Sequence, residues 1–287
     1  MMIASASALL LAATPYAPPA DAAPTTMKGA ADAGTASALR SVLDNNATTT
    51  SDPASNTVYF GNGCFWGRQK GFVDTEMALG RSMDKVSAVV GYAGGAEGAG
   101  SDGKVCYYTS APSTIYEKLG HAEVVQVGLT PENQKEEFRA FAKQYFKEFQ
   151  ETPMGMIRLD PQDAGAGYRN VIGIPGGLKS DLMEILREEN IHNMTLVAGE
   201  GNKYESGGGG GMLARMVGAE GVARENDEIN KVYIMDSAQF PFYRAEQYHQ
   251  FHNGIGKAFP ADYRVTLKKK AEQRGLIGPT GCPELPF

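Results

Sequence analysis

Cys64 stands two residues before Trp66, the only tryptophan, in the run Gly61-Asn62-Gly63-Cys64-Phe65-Trp66-Gly67. A thiol in that setting is a candidate nucleophile. The residues ahead of it, 57–60, are β-branched and aromatic and predict a short buried strand. Two glycines then make a tight turn, and residues 64–72 open a helix. A cysteine at a helix start faces unpaired backbone N–H groups and the positive end of the dipole, so the expectation is a thiolate. Phe65 and Trp66 supply a flat apolar wall beside it, suited to a small apolar group. The plainer alternative is a buried structural cysteine in a strand-to-helix turn.

Glu123 shares a strand face with Val125, Val127 and Leu129, because side chains alternate along a strand. A carboxyl at the end of an apolar face resists ionisation and can act as a proton donor at neutral pH. Tyr92 ends one predicted strand and Tyr168 begins another, where phenolic donors can hold a polar oxygen in an apolar pocket. His121, His249 and His252 invite a metal reading, with His249 and His252 three apart. No cysteine or carboxylate set at zinc-ligand spacing accompanies them, so no metal is expected. A Cys–His hydrolase lacks the sequence surround that such enzymes carry.

Gly63-Cys64-Phe65-Trp66-Gly67 resembles the signature of the peptide methionine sulfoxide reductases of the A type, specific for the S epimer. Further pieces follow in family order: Gly91-Tyr92-Ala93-Gly94-Gly95, Gly120-His121-Ala122-Glu123, and the run from Phe242 to Gln250. Asp163 and Tyr168 keep the family's spacing, with Gly167 where the family usually has Gln or Glu. The resemblance runs from about residue 59 to about 253. It implies Cys64 as nucleophile and Glu123 as the acid that protonates the sulfoxide oxygen. It implies Tyr92, Tyr168 and Asp163 as substrate-binding residues, with Phe65 and Trp66 against the methyl group. A sulfenic acid on Cys64 is then resolved by a second thiol. Cys282 is favoured because it lies in a glycine- and proline-rich tail, with Cys106 as the rival. No bound cofactor is implied. Thioredoxin or another dithiol would restore the thiols, and oxidised proteins or peptides would be the substrates.

Alternation of strands and helices without long parallel repeats predicts an α+β class. The resemblance implies a ferredoxin-like βαβ core with long wrapping loops and a mobile C-terminal tail. Strands are expected over 57–60, 85–92, 121–129, 168–174 and 231–235. Helices are expected over 180–187 and 243–252, and after Thr130-Pro131-Glu132, where an N-cap hydroxyl precedes a proline. That last helix carries Phe138, Phe141, Ala142, Tyr145, Phe146 and Phe149 as a core-facing stripe.

With 27 basic and 33 acidic residues and a net charge of −6, the chain shows no basic stripe, so nucleic acid is not an expected partner. Three cysteines are too few for a disulfide framework, and an odd count suits redox-active thiols. Residues 1–23 read as a signal or targeting segment, an apolar run before Ala20-Asp21-Ala22, though no Lys or Arg precedes Lys28. The run is too short to span a bilayer, and an exported or organelle-lumenal location is expected. Residues 24–56 read as a disordered linker and 57–287 as the catalytic domain, with 199–228 a flexible glycine-rich insertion. Two rival functions remain at this point. One is a thiol peroxidase; the other is an inactive module that binds oxidised methionine, which would need neither Cys64 nor Glu123.

Overall fold

The computed structural model describes residues 56–109, 112–160, 163–202 and 224–284. The expected leader, nearly all of the linker and the glycine run at 207–211 lie outside the described residues. The fold is a mixed α/β arrangement around one large sheet. In chain order its elements are β1 (Thr57–Gly61), α1 (Phe65–Ala78), β2 (Val89–Ala93), β3 (Ala122–Gly128), α2 (Gln134–Lys147), β4 (Phe149–Thr152), β5 (Gly155–Arg158), β6 (Val171–Ile174), α3 (Met183–Glu189), β7 (Thr195–Ala198), β8 (Lys231–Asp236) and β9 (Tyr243–Arg244). A π-helical stretch, Asp262–Leu267, leads into α4 (Lys268–Gln273).

The main sheet has the order β7-β8-β6-β1-β3-β2-β9, and β4 pairs only with β5 in a separate hairpin. β1, β2, β3 and β6 pair antiparallel, whereas β8 joins β6 and β7 in parallel. The register sets Tyr92 opposite Glu123.

Helix α1 is anchored by polar side chains that it buries. Gln69 donates to the Ala88 carbonyl and accepts from the Phe251 N–H. Glu76 accepts from the Ser87 and Ala88 N–H groups and pairs with Arg81. These bonds tie the helix to the start of β2 and to the returning C-terminal segment. The α2 stripe is buried as its period requires, and Phe60 of β1 stacks on Phe72 and Phe138 at 5.1 and 5.9 Å. Each such ring contributes about 1.5–3 kcal/mol on leaving water.

The expected helix over 243–252 does not form. Tyr243 and Arg244 pair with β2, and only Gln247–His249 turns, as a 3₁₀ helix. Ala245 N–H donates to the Val90 carbonyl, while the Gln250 amide accepts from Val90 N–H and donates back to the Val90 and Ala245 carbonyls. Backbone groups that a helix would satisfy internally are satisfied here by the sheet edge and one buried amide.

The expected insertion is fixed at both ends: Asn202 and Glu225 exchange side-chain and backbone bonds, and both are buried. Among the described residues, no helix is long and apolar enough to cross a membrane.

Candidate active site

The turn that delivers Cys64 is dictated by space and backbone angle. A side chain at Gly61 would run into the Glu123 carbonyl, and Gly63 sits at a φ of +94°. Gly63 N–H donates to the Tyr168 carbonyl at 2.9 Å, which brings the Tyr168 segment to the same place. Cys64 is therefore the N-cap of α1, without a side-chain cap, and only 6 % exposed.

The free N–H groups of that helix end are divided between two functional side chains. Phe65 N–H donates to Glu123 Oε2 at 2.9 Å, and the Trp66 N–H lies on the side of the Cys64 sulfur and favours its thiolate. The helix start does not make Cys64 a thiolate, contrary to expectation. Burial, followed by the nearby Glu123 charge, pushes the thiol well up, and the Trp66 N–H offsets only part of this. Asp163 adds to the rise through its charge and a hydrogen bond to the thiol.

Glu123 is 2 % exposed, and burial raises its carboxyl far above the usual carboxylate range. The Phe65 N–H and the Tyr116 hydroxyl pull it back in part, while Asp163 and Glu117 push the same way as burial. Burial thus favours the neutral acid at the mouth of a helix, beside a thiol that burial also holds up.

The phenols around Glu123 are not the expected pair. Tyr168 is present, hydrogen-bonded to Tyr116 and in turn to Tyr107. Tyr116 also bonds Glu123. Burial pushes Tyr107 up to about 12, so it is a neutral donor at physiological pH. Tyr92 is fully buried; its hydroxyl donates to Glu246 Oε2 at 2.8 Å and its ring stacks on Tyr116 at 4.6 Å. Although it lies opposite Glu123 in the ladder, its hydroxyl is already engaged with another acid. Tyr92 packs behind Tyr116, and it is Tyr107 and Tyr116 that join Tyr168 beside Glu123.

Trp66 is half-buried in an aromatic group with Tyr248, His249 and His252. Its indole N–H donates to His249 Nδ1 at 3.2 Å. Burial lowers His249 to about 3, so the ring stays neutral and Nδ1 remains an acceptor. Phe65 is buried against Tyr92 and His249, so it backs the wall that Trp66 presents. His121 is a loop anchor: Nδ1 accepts from Gly95 N–H and Nε2 lies 2.7 Å from the Gly98 carbonyl. With both ring nitrogens committed to backbone, it is no base for Cys64.

The segment holding Asp163 and Tyr168 is itself clamped. Arg169 is fully buried, with donors to Glu225 and to the Ala166 and Gly94 carbonyls. Asp227 pairs with Arg158 and accepts from Gly165 N–H at 2.8 Å.

Residues 56–187, which carry Cys64, Glu123, Asp163 and Tyr168, match the family model described as peptide methionine sulfoxide reductase. These residues belong to that family. No curated protein matches the sequence. Among solved structures, the methionine sulfoxide reductase A of Corynebacterium diphtheriae is similar at 18% identity, over 70% of this chain and 74% of that one, with a TM-score of 0.37. Reduced Mxr1 from Saccharomyces cerevisiae is similar at 22% identity, over 69% and 84%, with a TM-score of 0.35.

The remaining two cysteines depart from expectation for the reductase domain. Cys106 and Cys282, weighed as rival partners of Cys64, are bonded to each other, with their Cα atoms 5.6 Å apart. Cys64 is the free cysteine. The tail that carries Cys282 is docked as far as Glu284. Lys104 Nζ donates to the Gly281 carbonyl, and the Gln247 and Tyr248 N–H groups donate to the Glu284 carboxylate. Cys106 lies next to Tyr107, and its backbone bonds Thr114 and Tyr116, so the disulfide and the phenols share one loop.

Proposed function

We propose that the chain reduces methionine S-sulfoxide, free or in proteins, to methionine, and that Cys64 carries the reaction. What supports this most is the shared helix end of Cys64 and Glu123, where a buried acid stands beside the thiol with phenols around it. The sulfoxide oxygen sits among Tyr107, Tyr116 and Tyr168 and takes the Glu123 proton, which makes the sulfur electrophilic. Cys64 sulfur attacks as its proton passes to Asp163. The hydroxyl then passes from the methionine sulfur to the Cys64 sulfur: the S–O bond and the new S–S bond break, and a Cys64 S–O bond forms. Methionine leaves with a sulfenic acid on Cys64, and the proton on Asp163 returns to Glu123. Trp66, oriented by His249 and backed by Phe65, packs the methyl group.

Cys64 being free while Cys106 and Cys282 are joined supports a relay for the second half. Once reduced, Cys282 on the tail condenses with the sulfenic acid and releases water. Cys106 thiol then attacks Cys282 sulfur, which frees Cys64 and leaves the Cys106–Cys282 bond. A thioredoxin-like dithiol reduces that bond, and no prosthetic cofactor enters the cycle. In this reading the order β6-β1-β3-β2, all antiparallel with α1 and α2 as crossovers, is a ferredoxin-like core. The leader directs export or lumenal delivery.

A thiol peroxidase fits less well, because peroxide reduction needs a low-pKa thiolate and the Cys64 thiol is pushed up. Parallel assays of the dithiothreitol-reduced protein with a methionine sulfoxide peptide and with hydrogen peroxide separate the two. The expected result is turnover of the S sulfoxide with little of peroxide.

A further inference from the structure

Glu246 is a second buried acid that the sulfoxide chemistry does not use. It is 2 % exposed, and both its oxygens are oriented by neutral donors: Oε1 accepts from Tyr107 N–H and Oε2 from the Tyr92 hydroxyl, each at 2.8 Å. No cation pairs with it among the described residues. One of its oxygens lies within 4.8 Å of both Cys106 and Cys282 sulfurs, so the carboxyl adjoins a disulfide rather than a substrate pocket. Its own backbone N–H is a further donor, and a carboxyl with four lone-pair sites keeps one, or an O–H, to direct at the sulfurs.

From this geometry we infer that Glu246 is the proton donor and acceptor for thiol–disulfide exchange at the Cys106–Cys282 bond. When an external thiolate attacks Cys282 sulfur, the S–S bond breaks, its electron pair goes to Cys106, and the Glu246 carboxyl protonates that sulfur. The second thiol of the dithiol then attacks the mixed disulfide. Cys282 takes the proton of that second thiol and leaves as a thiol, the external disulfide closes, and Glu246 regains from solvent the proton that the first external thiol shed on ionising. Two electrons and two protons have passed from the dithiol to the two cysteines. In the opposite direction the Glu246 carboxylate removes the Cys106 proton as that thiol attacks Cys282.

The burial of the carboxyl supports this role. Desolvation raises its pKa and Glu284 from the tail adds to the rise, while its own backbone N–H, the Tyr107 N–H and the Tyr92 hydroxyl oppose it. The groups that face it are Tyr92 of β2, Tyr107, Cys106, Cys282 and Glu284, while Lys268 is held one residue away on the Gln247 carbonyl. A buried carboxyl without a cation beside it, held only by neutral donors, is set up to exchange a proton above the usual carboxylate range.

The inference rests on the reading that a dithiol turns this disulfide over, but its test is independent of sulfoxide. In full-length protein carrying Cys64→Ser, the Cys106–Cys282 bond is reduced by dithiothreitol between pH 5 and 9, with thiols counted by mass. Each rate constant is divided by the dithiothreitol thiolate concentration. The corrected constant should fall with rising pH as Glu246 loses its proton. Adding Glu246→Gln should abolish that fall and lower the low-pH value by about 100-fold, the low end of positioned acid–base catalysis. Glu246→Asp should restore part of the pH dependence. An unchanged rate and profile in Glu246→Gln overturns the inference. A flat corrected profile in the Cys64→Ser parent overturns it as well, whether or not the Glu246 variants fold.

Discussion

Cys64 and Glu123 divide the start of one helix between them. The first N–H of α1 holds the Glu123 carboxyl at 2.9 Å, and the next favours the Cys64 thiolate. A dipole that would lower a lone thiol is thus shared with a buried acid, and burial outweighs it at both groups. Burial thus favours the neutral form of both groups, which suits attack on a neutral, oxygen-bearing sulfur better than attack on a peroxide.

Cys64→Ser should abolish methionine formation and leave the fold intact, because serine fits the same N-cap. Circular dichroism and a single-turnover assay check this together. Residual turnover in folded protein would remove Cys64 from the nucleophile role.

Glu123→Gln keeps the bond from Phe65 N–H but has no proton to give, so the single-turnover rate should drop about 10²–10⁴-fold. The pH profile carries the sign. In the unmodified protein the raised Glu123 pKa makes the rate fall as pH climbs through it, and that limb should vanish in the variant. Because the acid is protonated when folded and ionised when unfolded, its contribution to stability is full at low pH and is lost as pH rises. Thermal unfolding from pH 4 to 9 should accordingly show a flatter stability profile for Glu123→Gln.

The two sets of tyrosines give a contrast. Tyr107→Phe and Tyr168→Phe should each lower kcat/KM in the first turnover about 10-fold or more, the loss of one oxyanion donor being worth up to about 10²–10³. Tyr92→Phe should cost less in that step, since its hydroxyl is bonded to Glu246. Stopped-flow single turnovers of the reduced variants give the ranking directly.

Parts of this site are legible in the residues and parts are not. A strand-to-helix turn and period-2 alternation make Cys64 and Glu123 candidates, the family resemblance singles them out, and the structure brings Asp163 and Tyr168 to them. Tyr107 and Tyr116 were missed because they sit in a loop with no period, folded back over β2 by long-range bonds. Their only signal was a cluster of aromatics beside Cys106. The Cys106–Cys282 pairing was equally out of reach, since three cysteines leave connectivity open and the two lie 176 residues apart. The thiolate expectation failed for a different reason: helix geometry is local, but burial and neighbouring carboxyls come from other elements. Likewise residues 243–252 have helical spacing, yet the edge of β2 and the Gln250 amide take their backbone groups.

Arg169→Met should destabilise strongly. It leaves Glu225 buried with its partner charge gone and frees the Gly94 and Ala166 carbonyls. Breaking a buried pair on one side costs about 3–5 kcal/mol. Denaturant unfolding measures the loss, and the unclamped Tyr168 segment should lower kcat at temperatures where the protein remains folded.

The most direct test is a single turnover of dithiothreitol-reduced, desalted protein with a peptide bearing one methionine sulfoxide of known epimer. Methionine should appear from the S epimer, with Cys64 free and the Cys106–Cys282 bond formed once per methionine in the peptide map. Preference for the R epimer, or methionine release from Cys64→Ser protein, would contradict the account.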